Sequence, residues 1–217
     1  MKDFFIILLL ILIIYFVYYN NLTIYENIDY NYNNDLLIIN NFFENNKFNE
    51  INNICKHKKF KKDFRVSSRK TICLFKENNK KLYDIIYKNQ KLHRIINQIY
   101  NRKYIYNPSF PIEYRIYPIK SSGMQFHKDI SMFNPDCLEL VLTLDNNSDS
   151  KFQWFENDNL KEIKPHANTM CIVKPNSVVH GVSPTNNGTR RILKFIIEFK
   201  NSIKKQSFYE QINNCPI

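Results

Sequence analysis

From residue 77 to residue 100, apolar side chains recur at three- and four-residue steps: Leu82, Ile85, Ile86, Leu92, Ile95, Ile96 and Ile99. That spacing gathers them on one side of a helix, so an amphipathic helix is predicted here. Lys80, Lys81, Lys88 and Arg94 take its solvated face. After Pro108 and Pro111 the texture changes to short apolar or alternating segments, at 113–119, 124–129, 138–144, 152–155, 169–173, 177–182 and 191–199. Pro, Asn, Asp and Ser clusters separate them. Short strands with regular turn signals predict a β-sandwich or barrel, with the helix packed outside it.

The N-terminus follows neither pattern. Residues 4–19 are sixteen apolar or aromatic residues without a charge and without a polar face. As a helix they reach about 24 Å, against about 30 Å for a hydrocarbon core. Interfacial Tyr15, Tyr18 and Tyr19 extend that reach. A signal peptide would need small residues for cleavage, whereas Tyr18, Tyr19 and Asn20 end this run. The expectation is an uncleaved N-terminal transmembrane helix over residues 1–20. Lys2 precedes it and Glu26, Asp29 and Asp35 follow, which places the catalytic domain on the lumenal or external side of a single-pass membrane protein. Sequons at Asn21, Asn146 and Asn187 accord with that side. Residues 21–64 read as a tether with short helices, and residues 65–217 as the catalytic domain.

Composition refines this outline. A chain of 217 residues, 44% of them hydrophobic, accommodates one cored domain and an extension. Asn, Ile, Lys, Tyr and Phe are over-used and Gly occurs three times, the skew of AT-rich coding. The net charge of +11 therefore reads first as codon usage. The basic residues are dispersed, and the densest cluster, 56–65, is interrupted by Phe60, Asp63 and Phe64. Five cysteines form no CxxC pair, which argues against a zinc knuckle or a thioredoxin-type site. One or two bridges would suit an oxidising compartment.

Chemistry concentrates in the second half. On a strand, residues two apart share a face, so His127 and Asp129 of Gly123-Met124-Gln125-Phe126-His127-Lys128-Asp129 project together. His180 is the natural third ligand. Two imidazoles and a carboxylate on one octahedral face leave positions open for a bidentate keto acid and dioxygen, which suits iron(II). Ten residues on stands Arg190, whose guanidinium pairs bidentately with a carboxylate. Arg191 competes with it, and adjacent strand residues face opposite ways. All three glycines, Gly123, Gly181 and Gly188, sit beside these residues, as expected where the backbone needs positive φ or close approach. His57, His93 and His166 lack ligand-like partners. Trp154 reads as core or cleft wall, and Lys194 and Lys200 as solvent-facing.

In "GMQFHKD" and "HGVSPTNNGTRRILKFI" the chain resembles the 2-oxoglutarate- and iron(II)-dependent dioxygenases of the prolyl 4-hydroxylase type, over about residues 65–199. The resemblance implies a double-stranded β-helix, or jelly roll. It assigns iron to His127, Asp129 and His180, and the distal carboxylate of 2-oxoglutarate to Arg190, with Tyr117 as a further co-substrate contact. It implies hydroxylation of a protein side chain with release of succinate and CO2, ascorbate serving to rescue over-oxidised iron, and a protein or peptide partner rather than nucleic acid. Met124 departs from the family, which commonly has Tyr three residues before the first metal His; this bears on co-substrate contacts and on a peptidyl-proline substrate. Composition, anchor and domain together resemble hydroxylase-like proteins of large DNA viruses. Two rivals stand beside this reading. A nucleic-acid demethylase of the same superfamily would usually carry a second Arg where Lys194 and Lys200 stand. A non-catalytic jelly-roll binding module on a membrane would not need the intact ligand set.

Overall fold

The computed structural model describes residues 2–25, 28–60, 69–106 and 108–216, with side chains of the first helix described at residues 5–16. Two antiparallel sheets face each other as a jelly roll. The larger has seven strands: β1 (Tyr30–Tyr32), β2 (Leu36–Ile39), β3 (Lys70–Leu74), β4 (Ile112–Tyr117), β7 (Leu138–Asn146), β10 (Met170–Val173) and β12 (Arg190–Ile197). They lie in the order β1-β2-β10-β7-β12-β4-β3. The smaller sheet orders β5 (Met124–His127), β11 (His180–Val182), β8 (Phe152–Glu156) and β9 (Asn159–Ile163) as β5-β11-β8-β9. A separate pair joins β6 (Phe133–Asn134) to β13 (Ile203–Lys204).

Strand alternation sorts the large sheet into two faces. Leu138, Leu140, Leu142 and Leu144 of β7, with Leu193, Phe195 and Ile197 of β12, enter one apolar cluster with the helices. These helices are α2 (Asn45–Lys56), α3 (Lys80–Tyr87) and α4 (Gln90–Tyr100). The other face looks between the sheets and carries the polar residues of the site. A last helix, α5 (Gln206–Asn213), buries Phe208 against Phe110 and Phe133. A disulfide joins Cys73 of β3 to Cys215, and Cys73 N donates to Pro216 O at 2.7 Å, which ties the C-terminal segment to the edge of the large sheet. Cys55, Cys137 and Cys171 are buried thiols.

Several expectations are corrected. The first helix, α1 (Lys2–Tyr25), forms, but no helix among the described residues is long and apolar enough to cross a membrane. The uncharged run of about 24 Å is too short for the hydrocarbon core. The transmembrane anchor, and the single-pass lumenal or external localisation built on it, are overturned. The helix expected over 77–100 is two helices, parted at Lys88 and Asn89. Asn89 caps α4 by accepting a hydrogen bond from Leu92 N, a contact that needs a non-helical residue at that point. Part of the presumed tether is structural. Leu36–Ile39 are all buried, with Leu37 and Ile39 toward the helices and Leu36 and Ile38 between the sheets. A short continuous apolar run is the pattern of a strand covered on both faces. The boundary placed between residues 64 and 65 lies outside the described residues.

Candidate metal centre

β5 and β11 are neighbours, and their register sets His127 directly opposite His180. Close approach of the two backbones explains a glycine here: a Cβ on Gly181 would meet Met124 O at 2.9 Å. Gly123 opens β5 at φ +72°, where a Cβ would lie 2.2 Å from Val182 O. β5 ends at His127, so Asp129 stands in the following loop rather than on the strand. Its backbone is held there by Asn176 N, which donates to Asp129 O at 2.8 Å.

The three side chains converge. Asp129 Oδ1 lies 3.4 Å from His127 Nε2, and Oδ2 lies 3.2 Å from His180 Nε2. One donor atom from each residue falls within 4.8 Å of the others. His127 Nδ1 is 2.8 Å from Gln125 O and His180 Nδ1 is 3.1 Å from Val178 O. A carbonyl only accepts, so each ring donates from Nδ1 and aims Nε2 inward at Asp129, as the atom that would bind a metal. Fixing the tautomer in this way is how proteins prepare imidazole as a metal ligand. Burial opposes ionisation of Asp129, yet the Lys194 ammonium and the bonds from both histidines hold its carboxyl well below the usual range. The donor set therefore fits a divalent metal.

The triad borders a cavity of about 210 Å³ between the sheets, which Arg190 and Tyr117 also line. Arg190 is 2% exposed, and its Nε and Nη1 have no hydrogen-bond partner among the described residues. Buried donors left unpaired cost about 1–3 kcal/mol each, more for charged groups, so this guanidinium is suited to an anionic ligand. Arg191 points the other way, to Asp145 and to Tyr114 Oη at 3.4 Å. Tyr117 lies opposite Arg190 in the sheet. Burial pushes its hydroxyl up, but Arg115, Arg69 and Arg190 outweigh that and hold it below its ordinary value. This end of the cavity is strongly cationic.

Four residues of the cavity wall were not anticipated: Arg69, Arg115, Glu139 and Lys194. Lys194 corrects the expectation of a solvent-facing side chain. It shares the parity of Arg190 and Ile192 on β12, so it too turns between the sheets, where it pairs with Glu139. Strand alternation from Arg190 carries that signal. Lys200 is exposed as expected, and Trp154 packs in the core between the sheets. His93 is half-buried, with its Nε2 3.0 Å from Asn97 Nδ2. A larger groove of about 940 Å³ between α2, α3 and α4 contains none of the candidate residues.

No known family's sequence profile matches the chain, and no curated protein does. Solved structures do match. A prolyl hydroxylase from Trichoplax adhaerens, in complex with a hypoxia inducible factor oxygen degradation domain peptide fragment, is 16% identical, with TM-score 0.58 over 76% of this chain and 84% of that one. A prolyl-4-hydroxylase from Pseudomonas putida is 12% identical, with TM-score 0.59 over 76% and 92%. HygX from Streptomyces hygroscopicus, with nickel, 2-oxoglutarate and hygromycin B bound, is 8% identical, with TM-score 0.61 over 83% and 86%. At these identities the likeness establishes the fold.

Proposed function

We propose that this chain is an iron(II)- and 2-oxoglutarate-dependent dioxygenase that hydroxylates a protein side chain in the manner of the prolyl hydroxylases, with release of succinate and CO2. The observation that carries the reading is the pairing of two features in one cavity. His127, Asp129 and His180 present a facial donor set, and Arg190 offers a buried guanidinium with unsatisfied donors. The fold shared with oxygenases solved with 2-oxoglutarate supports it. Iron(II) in this set supplies the coupling of keto-acid decarboxylation to oxidation of an unactivated C–H bond.

The chain's own residues bind, orient and exclude water. His127 and His180 would hold the metal through Nε2 and Asp129 through its carboxylate. Arg190 takes the distal carboxylate of 2-oxoglutarate, with Tyr117 beside it. Val141, Val173, Ile192 and Phe152 line the intervening wall and keep the co-substrate's methylene carbons away from water. Ascorbate would serve as the reductant of over-oxidised iron. The peptide substrate is inferred from the Trichoplax structure, whose partner is a peptide fragment.

The test is succinate production from 2-oxoglutarate and iron(II), first uncoupled and then with a peptide library that includes proline-rich and lysine-rich sequences. His127→Ala, Asp129→Ala and His180→Ala should each abolish turnover; full activity in any of them removes that residue from the ligand set. Arg190→Lys should raise KM for 2-oxoglutarate about tenfold or more, the scale of a lost charge-assisted hydrogen bond, while metal binding persists. Arg191→Ala should leave KM unchanged.

A further inference from the structure

Arg190, Ile192 and Lys194 form one inward row on β12, and all three border the cavity. Beside the metal triad, that row ends in a lysine. The Lys194 side chain is 15% exposed, and its ammonium pairs with Glu139 of β7, whose own side chain is 3% exposed. The same Nζ lies 3.8 Å from Asp129 Oδ1. Lys194 thus stands between a buried carboxylate that only anchors and a carboxylate that belongs to the ligand set. An ammonium has three donors and can serve both at once.

The fold itself does not call for this pair. Ile192, Val141 and Val173 on the inner face are aliphatic, while Arg115 adds a further charge beside the pair. Replacing a buried ion pair by apolar residues of similar volume is often neutral or stabilising. A second ion pair, Glu113 with Arg115, lies on β4 of the same sheet and adds to the field at Lys194. Of the carboxylates around Lys194, Asp129 is the one in the ligand set, and an apolar residue at 194 would not engage it. The two oxygens of Asp129 are inequivalent in consequence: Oδ2 approaches His180 Nε2, whereas Oδ1 is shared between His127 Nε2 and the lysine.

We infer that Lys194, braced by Glu139, is a positioning residue that engages the non-ligating oxygen of Asp129 and keeps that carboxylate monodentate. This rests on the metal reading proposed above. Without the lysine, Asp129 rotates to chelate through both oxygens and takes a coordination position that an exogenous ligand would otherwise use. Outer-shell partners of metal ligands act in this manner, and their loss typically weakens metal binding or activity 10–100-fold.

The probe is Mn(II) bound to the full chain, with exchangeable metal-bound waters counted by water-proton relaxation. Lys194→Met should lose one water position relative to the wild type, and 2-oxoglutarate should bind the Mn(II) form about tenfold more weakly. Because Lys194→Met strands Glu139 as a buried charge, a second variant, E139M/K194M, removes both charges and leaves neither partner orphaned. It should show the same loss of one water. A wild-type water count in E139M/K194M overturns the inference while the metal reading stands. If Mn(II) does not bind the wild type, or binds undiminished to the H127A/H180A variant, the metal reading and this inference both fall.

Discussion

At the scale of single residues, ring tautomer and carboxylate ionisation decide what the triad can bind. Donation to the Asp129 carboxylate holds the His127 imidazole above its ordinary pKa, against the opposing effect of burial. A raised folded-state pKa contributes stability that is complete below the unfolded value of about 6.5 and is lost as pH rises through the folded value. A metal needs the neutral ring, so proton and metal compete in that same window. Affinity for Mn(II) is therefore expected to rise as pH passes upward through the raised His127 value, above about pH 6.5, with a proton released on binding. Calorimetry in buffers of different ionisation enthalpy measures that proton, and a pH-independent affinity with no release would contradict it. At this scale much was legible in the sequence. His127, Asp129, His180 and Arg190 all line one cavity, although Asp129 reaches it from the loop after β5 and not from the strand. Lys194 was misread by residue type, since lysine is usually solvated, although its parity with Arg190 already aimed it inward.

Among the elements, β12 does the most to organise the molecule. Its even-numbered residues from Arg190 to Lys194 face the cavity, and its odd-numbered residues from Leu193 to Ile197 face the helices. Phe195 is fully buried and packs edge-on against Tyr87 of α3, with ring centroids 5.9 Å apart. Phe195→Ala should cost about 3–5 kcal/mol in urea unfolding, from lost burial and the cavity left behind. A cost below about 1 kcal/mol, the range of volume-conserving swaps, would mean that the helix layer collapses onto the sheet. The β7 and β8 expectations matched closely because their apolar alternation is strong. β9 was missed: four of its five residues are exposed, so no apolar repeat marks it. The single helix expected over 77–100 failed at Asn89, where a side-chain cap replaced the continuing backbone ladder.

For the whole molecule, the long-range tie is the Cys73–Cys215 bridge, which spans 142 residues. Closing so long a loop restrains the unfolded chain, and removal of a native disulfide typically costs about 2–5 kcal/mol. Cys215→Ser is expected to lower stability by that amount, read as a shift in urea midpoint that vanishes when both proteins are compared under reducing conditions. Equal midpoints under oxidising conditions would show that the bridge restrains nothing. The bridge also closes the edge of the large sheet, where β3 pairs with β4, the strand that carries Arg115 and Tyr117. At this scale the expectation of a membrane-crossing N-terminus was wrong. It let interfacial tyrosines make up for a short uncharged run, and a run of sixteen residues lacks the length.

The sequence by itself determined the jelly-roll strands with strong alternation, the facial grouping of His127 and Asp129, and the spacing from His180 to Arg190. The strands follow from repeats of two residues, which any short window contains, and the paired residues from nearness along the chain, although Asp129 stands just past the end of β5. Tertiary structure alone decided which groups meet across long separations: His127 with His180, Lys194 with Glu139, Cys73 with Cys215, and β2 with β10. Each of those contacts depends on strand order and register in a closed sheet. No local pattern records which distant segment will supply the partner, or which buried donors, such as those of Arg190, will be left for a ligand.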